Sequence, residues 1–270
     1  GSADVKVVAG ATEFNPETRT HQAVAGAANQ GLAIDGSQLG SMYGGRIELI
    51  ATDSGAGVRH QGNIISEQDL RISAAGDLQI GAAQSNKGNI DLDGRNVTVT
   101  GSENSNGLGL YSQGGINIHG DETVGLQADV VAFGGDVNVA GRNIVVTESQ
   151  EGGGAGLAGH GNVTLQAADN VDVRTGIVSE VGAIGISGRN VSLAGTEKSD
   201  GFALVGEGNI SLNALEKMNV QGDVLSKTGA IGVSATDVNV SESAFGTGVG
   251  MASVGDVKID ATGTVNMHAT

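Results

Sequence analysis

The sequence lacks cysteine and tryptophan, and it has a single proline among 270 residues. Without cysteine the chain can form no disulfide and can use no thiol nucleophile. Its aromatic residues are two tyrosines and four phenylalanines, so there is no tryptophan on which a sugar ring could stack. These absences argue against thiol enzymes and against the lyases and hydrolases that act on polysaccharides.

Positive charge is also scarce. The chain has 14 Lys and Arg residues against 30 Asp and Glu residues, which gives a formal charge of −16. No basic patch is available to bind a phosphate backbone, so we expect neither nucleic acid nor an anionic membrane surface as a partner. No run of 18 apolar residues occurs, so we expect no membrane span.

Glycine is abundant, with 47 residues, and it marks an internal repeat. From Gly88 onward the sequence repeats with a constant period of 47 residues and no insertion. The repeated segments are GNIDLDGRNVTVT from Gly88, GDVNVAGRNIVVT from Gly135, GAIGISGRNVSLA from Gly182 and GAIGVSATDVNVS from Gly229. A second glycine-led set lies 26 residues further on, so each unit divides into halves of 26 and 21 residues. A fixed period of this length predicts a solenoid.

The spacing of the apolar residues indicates the type of solenoid. Apolar residues recur in pairs two positions apart, which places both side chains on one face of a short strand. The apolar stripe spaced three and four that paired-helix repeats require is absent. We therefore predict an all-β fold, a right-handed parallel β-helix with three short strands per coil and two coils per 47-residue repeat. We expect about twelve coils, on the order of 55 to 60 Å in length.

Two columns of turn residues support the same register. The first shares an asparagine or aspartate just before a strand: Asn96, Asn143, Asn190 and Asp237. We expect these side chains to form a ladder. The second, one position earlier, alternates in sign from coil to coil: Arg95, Glu122, Arg142, Asp169, Arg189 and Glu216. We expect this column to fix the register of the coils and to supply no chemistry.

Residues 31–64 carry the most specific pattern in the chain. The pattern D-x-S-x-L-G-x-M-Y-x-G-x-I is formed by Asp35, Ser37, Leu39, Gly40, Met42, Tyr43, Gly45 and Ile47. Its continuation T-D-x-G-x-G-V-R is formed by Thr52, Asp53, Gly55, Gly57, Val58 and Arg59. This segment resembles the end of the secretion domain of bacterial two-partner secretion exoproteins, the filamentous hemagglutinin and contact-dependent growth inhibition family. The later repeats resemble the long hemagglutinin-type repeats of that family in pattern only.

The resemblance implies a location and a function. It implies export through a dedicated outer-membrane barrel transporter and display as a β-helical filament at the bacterial cell surface. The expected role is that of a shaft in a virulence protein, which presents an adhesive or toxin-delivery region away from the cell. The resemblance supplies no catalytic residue, and we expect no enzyme activity, no cofactor, no metal and a monomeric chain.

The predicted organisation has three parts. Residues 1–44 hold an irregular N-terminal segment and the end of the secretion-domain-like region. Residues 45–87 form two transitional coils, and residues 88–270 form regular repeats at 88–134, 135–181, 182–228 and 229–270. Residues 10–30 lack the coil pattern, so we expect an irregular loop or an excursion from the helix there. We expect the chain to be part of a longer protein.

A second hypothesis is direct binding through loops. A longer loop precedes the third strand of each 26-residue half, at residues 101–107, 148–154, 195–201 and 242–248. Because these loops share a phase, we expect them to form a ridge on one edge that contacts a receptor or a glycan on a host or neighbouring cell. The candidate contact residues are Glu103, Asn104, Glu148, Glu151, Glu197, Lys198, Asp200, Glu242 and Phe245. The competing interpretation is that these are small solvated turns with no partner.

Other chemistry finds little support in the sequence. The histidines share no phase and no metal-ligand spacing: His21, His60, His119, His160 and His268. The Gly-Gly-x-Gly-x-Asp repeat of calcium-binding β-rolls does not occur. The acidic residues lie in turns at regular intervals, whereas a hydrolase would gather carboxylates at one place.

Overall fold

The computed structural model describes residues 2–10, 12–15, 17–18, 20–23, 31–37, 40–102, 105–149 and 156–268. In these ranges the chain forms 26 β-strands and one 3-10 helix, Glu197–Ser199. No helix in the described part of the chain is long and apolar enough to cross a membrane. The fold is all-β, as the apolar spacing predicts.

The strands are short in the N-terminal part and longer in the repeats. The N-terminal strands are β1 (Val5–Ala9), β2 (Thr12–Asn15), β3 (Thr20–Ala23), β4 (Leu32–Asp35), β5 (Ser41–Gly44), β6 (Ile47–Ala51), β7 (Gly57–Ser66), β8 (Leu70–Ala74) and β9 (Leu78–Ser85). The first two repeats hold β10 (Ile90–Val99), β11 (Leu108–Ser112), β12 (Ile116–Leu126), β13 (Asp129–Ala132), β14 (Val137–Thr147), β15 (Leu157–Gly159), β16 (Val163–Arg174) and β17 (Ile177–Ser179). The last two repeats hold β18 (Ile184–Ala194), β19 (Phe202–Gly206), β20 (Ile210–Gln221), β21 (Asp223–Ser226), β22 (Ile231–Ala235), β23 (Asp237–Ser241), β24 (Met251–Ser253), β25 (Val257–Ala261) and β26 (Val265–His268).

All described strands except β2 and β3 belong to one parallel sheet that winds around a long axis. Each strand pairs with its equivalent in the coils below and above, as in β10–β12 and β12–β14. The coil has three sides. In the first regular coil, side one is residues 90–93 and side two is residues 97–99, both in β10, while side three is β11. The predicted right-handed parallel β-helix is confirmed.

The strand pairings also confirm the predicted register. Ile90 pairs with Ile116, and Ile116 pairs with Val137, which reproduces the alternation of 26 and 21 residues. In most regular coils the first two predicted strands are not separate strands. In β10, β12, β14, β16, β18 and β20 they run on as a single strand, and a register shift such as that between Gly94 and Asn96 makes the corner. A bulge therefore turns the chain here without ending the strand.

The number of coils is smaller than expected. The described residues form ten complete three-sided coils, and β25 and β26 add two sides of an eleventh. The estimate of about twelve coils is too high because the N-terminal part uses many residues for one coil. In that coil β1 is side one, β4 is side two and β5 is side three, and the antiparallel hairpin of β2 and β3 stands apart from the main sheet. The excursion predicted for residues 10–30 is thus a hairpin in its described part.

The core is a continuous apolar column along the axis. The predicted inward residues of the first three repeats are buried, from Ile90 to Val220, and those at Ile231, Val233, Val238 and Val240 are buried too. The last layer differs because no coil covers it: Val257 is 44% exposed, Val265 is 47% exposed and Met267 is 50% exposed. Burial of each layer therefore depends on the layer above it, as expected for a linear stack.

Buried serines close the corner between side three and the next side one. These serines share one position at the end of the third strand and donate to a carbonyl at the start of the same coil, over 2.7 to 2.9 Å: Ser66, Ser85, Ser112, Ser179 and Ser226. Several also accept a bond from the following turn, as in Gly182 N–H to Ser179 Oγ at 3.0 Å. Each hydroxyl thus satisfies backbone groups that the corner would otherwise leave buried without partners.

Candidate functional site

The four longer loops leave side two and return to side three of alternate coils, and we call them together the loop ridge (101–107, 148–154, 195–201 and 242–248). The candidates Glu103, Asn104 and Glu151 lie outside the described residues. Of the others, Glu197, Lys198 and Asp200 are exposed, whereas Glu148 and Glu242 are half-buried. Phe245 is 54% exposed.

The third loop has a defined local structure. Its 3-10 turn begins after Thr196, whose N–H donates to Ser199 Oγ over 2.9 Å. The turn ends at Asp200 and Gly201, which both have left-handed backbone conformations, with φ of 50° and 77°. This placement makes Glu197, Lys198 and Asp200 neighbours on an ordered turn.

Successive loops of the ridge contact one another, although a short coil separates their strands. Lys198 Nζ donates to the carbonyl oxygen of Ser149 in the second loop, over 2.5 Å. Ser243 Oγ in the fourth loop donates to the Gly195 carbonyl over 3.2 Å. Gly201 lies so close to the fourth loop that an added Cβ would overlap the nitrogen of Gly246. The second, third and fourth loops therefore form one connected surface, and the Lys198 ammonium is engaged within it.

Asp223 anchors the fourth loop from the short coil below it. The residue is 2% exposed, and its carboxylate accepts bonds from Thr247 N–H at 2.8 Å, Thr247 Oγ1 at 2.6 Å and Gly250 N–H at 3.1 Å. Burial raises the pKa of Asp223, but these hydrogen bonds outweigh it and the net pKa lies below its ordinary value. Asp223 was not among the predicted site residues. The available signal was that Asp129 has the same phase two repeats earlier.

The charge column lies along the corner between sides one and two. Arg189 contacts Glu216 at 3.3 Å and Asp169 at 3.4 Å, and Arg142 reaches Asp169 at 3.9 Å. At its lower end Arg95 pairs with Asp77 of the coil below, at 3.0 Å. These side chains are exposed or half-exposed, so solvent screens each pair and its contribution to stability is small. The geometry suits a register device.

The asparagine column forms a true ladder over three consecutive coils. Asn170 donates to Asn143 over 2.9 Å, and Asn190 donates to Asn170 over 3.1 Å. Asn170 belongs to a short coil and was not among the predicted residues. At the lower end Asn96 donates to Asp77 over 2.9 Å, so the same carboxylate serves both columns.

The specific pattern of residues 31–64 joins the first two coils. Asp35 ends β4, and its carboxylate accepts bonds from Ser37 and from Arg59 NH2, the latter at 2.8 Å across the β4–β7 pairing. The hydrogen bond from Arg59 holds the pKa of Asp35 far below its ordinary value. Ile47 and Val58 of the pattern are fully buried in the core, while Tyr43 is 67% exposed. Most of the pattern therefore serves to stack these coils.

His60 lies inside this region and is 1% exposed. An added Cβ on Gly36 would overlap its ring carbon Cδ2. Neither ring nitrogen has a hydrogen-bond partner among the described residues. Burial lowers the pKa of His60, and the nearby Gly62 backbone opposes this only in part. The ring is thus held neutral as a core residue.

The described residues contain no group of three or more His, Asp or Glu side chains that could hold a metal ion. A concavity of about 760 Å³ lies on the outer face of side one and is open to solvent. Its polar lining includes Arg71, Asp91, Asn117 and His119. Asn117 donates to Asp91 over 2.8 Å and accepts from Asn138 over 3.0 Å, so these groups form another axial ladder.

Comparison with known proteins connects this fold to a secretion system. Residues 1–80 match the TPS secretion domain. A stretch of 109 residues is 38% identical to filamentous hemagglutinin of Bordetella pertussis, which covers 39% of this chain and 3% of that protein. These matches support a fragment of a two-partner secretion exoprotein. The resemblance inferred from residues 31–64 is confirmed.

Two further relatives of this two-partner secretion exoprotein carry other names. Toxin CdiA of Escherichia coli is 36% identical over 102 residues, or 37% of this chain and 3% of that protein. The protein adenylyltransferase and cysteine protease IbpA of Histophilus somni is 41% identical over 70 residues, or 25% of this chain and 2% of its own length. The chain thus spans about 2 to 3% of these relatives. No solved structure matches it.

The location follows from the family. Two-partner secretion exoproteins are secreted to the bacterial cell surface, and that is the location of this chain. A β-helix suits that setting because its core grows by addition of coils and needs no disulfide, and the chain has no cysteine.

Proposed function

We propose that this segment is part of the shaft of a secreted exoprotein, and that it holds an adhesive or toxin-delivery region away from the cell. The observation that carries the proposal is continuity. One sheet and one apolar core pass through ten complete coils, and no layer between Ile47 and Val240 breaks the column. A stack in which each inner coil hydrogen-bonds to both of its neighbours is suited to form a long, stiff rod rather than a binding pocket.

The repeat itself provides the test. Deleting residues 135–181 joins two positions of equal phase, so Val163 and its layer are lost while Ile116 can pair with Ile184 as it paired with Val137. The shaft should keep its fold and shorten by two layers, roughly 10 Å. We expect the full-length exoprotein with this deletion to be exported normally and to bind its target cells nearly as well as the wild type.

A deletion of the wrong length is the matched control. Removing residues 139–163 joins Asn138 to Thr164 within a strand, which turns Leu165 to the outer face and should disrupt the stack. If the in-phase deletion folds and is exported but abolishes binding, the segment carries a specific site and the shaft proposal is wrong.

The partner in export is proposed to be an outer-membrane barrel transporter of the two-partner secretion type, with each emerging coil templating the next. Ile144→Asp places a charge in the core, whereas Val145→Asp places it on the outer face of the same strand, where Val145 is 37% exposed. We expect Ile144→Asp to reduce secretion strongly and Val145→Asp to leave it nearly unchanged. Equal secretion of both variants would show that export does not depend on coils templating one another.

A second candidate function is recognition of a receptor or glycan by the loop ridge. Its support is the direct contact between successive loops and the exposure of Glu197, Asp200 and Phe245. Replacing loops 195–201 and 242–248 by turns of short-coil length should abolish cell binding with the fold intact. Binding that survives this replacement rules out these two loops as the contact.

We assign no enzyme activity to this segment. The adenylyltransferase and protease activities in the name of the Histophilus somni relative belong to that protein, of which the chain covers 2%. The polar contacts of the described coils, such as that of Thr247 with Asp223, hold neighbouring layers together.

A further inference from the structure

The outer face of side three is apolar along most of its length. In the third-side strands from β9 to β21 one outward residue lies between two buried ones, and the strand pairings place these residues in one column with those of β5, β7 and β24. Seven consecutive layers carry the apolar residues Tyr111, Val131, Ala158, Val178, Val205, Leu225 and Ala252. The three layers below carry Gln84, Ile65 and Tyr43. We call this column the apolar stripe.

The corresponding columns on the other two sides are mostly polar. On side one the column reads Glu48, Arg71, Asp91, Asn117, Asn138 and Thr164. On side two it reads Gln79, Thr98, Gly125, Val145, Asp172, Ser192, Asn219 and Asn239. All three sides are equally sheet, so the preference of strands for Val and Leu does not account for the difference.

Exposed residues next to the stripe extend its apolar surface. Phe133 is 60% exposed, and its ring centroid lies 6.5 Å from that of Tyr111. Val181, in the turn after Val178, is also 60% exposed. Aromatic residues at this exposure are typical of contact surfaces rather than of solvated turns.

The size of the stripe restricts its occupant. The outer face of side three, ten layers high at ~4.8 Å and about four residues wide, measures roughly 43 Å by 13 Å, so the stripe within it covers at most on the order of 550 Å². A stable protein pair buries about 800 Å² on each partner. The stripe is therefore too small for an obligate dimer and is of the size of a weak contact.

We propose that the apolar stripe pairs with the apolar stripe of a second copy of this chain, so that two rods lie side by side about a two-fold axis. A column with one outward residue in every layer has the same spacing in both directions along the rod, so it can match a second copy of itself, which is what an isologous interface requires. The formal charge of −16 opposes close approach of two copies, so the pairing is weak and strengthens as salt screens the charge. At low concentration the chain is the expected monomer.

Sedimentation and small-angle X-ray scattering over a concentration series up to about 1 mM, a range suited to weak complexes, test the proposal. The average mass should rise from 26.7 kDa toward twice that value. The association constant should increase with NaCl concentration, and the maximum dimension should stay near that of a single rod. A maximum dimension that doubles would mean end-to-end stacking through the uncovered last layer, and it would overturn the proposal. A chain that stays monomeric throughout would overturn it as well.

Matched variants locate the contact. Val205→Glu with Leu225→Glu places two charges in the stripe, while Ser192→Glu with Asn219→Glu places two charges on side two of the same coils. The first pair should lower the association constant at least tenfold, and the second should leave it within about twofold of the wild type. Equal effects of the two pairs would refute the assignment. If the charged stripe variant fails to fold, Val205→Thr with Leu225→Thr keeps strand propensity and should still weaken association several-fold.

Discussion

The uncovered last layer allows a direct test of how the stack is stabilised. Val238 and Val265 are the same residue type on side two, and they pair with each other in adjacent layers. Val238 is 1% exposed and Val265 is 47% exposed. Truncating a buried valine to alanine removes two methyl groups, which costs about 0.8 kcal/mol each in transfer free energy plus a cavity term. We therefore expect Val238→Ala to cost roughly 2 kcal/mol and Val265→Ala less than about 1 kcal/mol.

Hydrogen exchange suits this test because long repeats need not unfold in one step. In Val238→Ala the amides of β20 and β23 should lose protection, while those of β10, many layers away, should keep theirs. In Val265→Ala only β26 should change. Equal costs for the two variants would show that the exposure of the last layer does not govern its energy. Loss of protection throughout the rod would refute the nearest-neighbour account.

Three further predictions concern polar residues. Ser179→Ala leaves corner backbone groups without their partner and should cost about 1 to 3 kcal/mol in denaturant unfolding, whereas Ser192→Ala on the outer face should cost less than about 0.5 kcal/mol. The pKa of Asp223 is lowered in the fold, so its stabilisation is present above the unfolded pKa and is lost as pH falls through the folded pKa; protection of the fourth loop should decline in acid, and Asp223→Asn should remove that dependence. The pKa of buried His60 is also lowered, so stability should fall as pH drops from the unfolded value of about 6.5; His60→Phe should flatten that slope, and an unchanged slope would contradict the neutral buried ring.

The sequence predicts the regular part of this fold well because the same spacing of apolar residues recurs in every layer. An inward residue such as Ile144 packs against apolar residues in the layers above and below it. The repeat period, the buried face of each strand and the pairing register can therefore all be derived from the apolar positions in the sequence. The pairing of Ile90 with Ile116 and of Ile116 with Val137 could therefore be derived before any coordinates. The close pattern at Asp35 and Arg59 likewise identified the family.

Other features were missed because their residues have a common alternative meaning. Serine at the position of Ser179 suggests a turn, and the sequence alone does not distinguish a buried corner serine from a solvated one. Asp223 resembles the other acidic residues of turns in the sequence, and only the structure shows that Thr247 and Gly250 donate hydrogen bonds to it. The apolar stripe went unnoticed because Val178 and Val205 follow inward residues directly, and two adjacent apolar residues do not reveal which of them faces out. The number of coils was overestimated because the first 44 residues contribute only one coil, made by β1, β4 and β5.

The two-coil repeat itself has a physical explanation in the charge column and the loop ridge. If every coil had the same sequence, arginines like Arg142 and Arg189 would stand ~4.8 Å apart and repel one another. Alternating long and short coils inserts Asp169 between them, which converts repulsion into two contacts. The same alternation spaces successive protruding loops by two layers, roughly 10 Å along the axis. At this spacing the third and fourth loops touch through Gly201 and Gly246 without overlap. A period of two coils therefore places opposite charges in successive layers of one corner and leaves room for the protruding loops at the next.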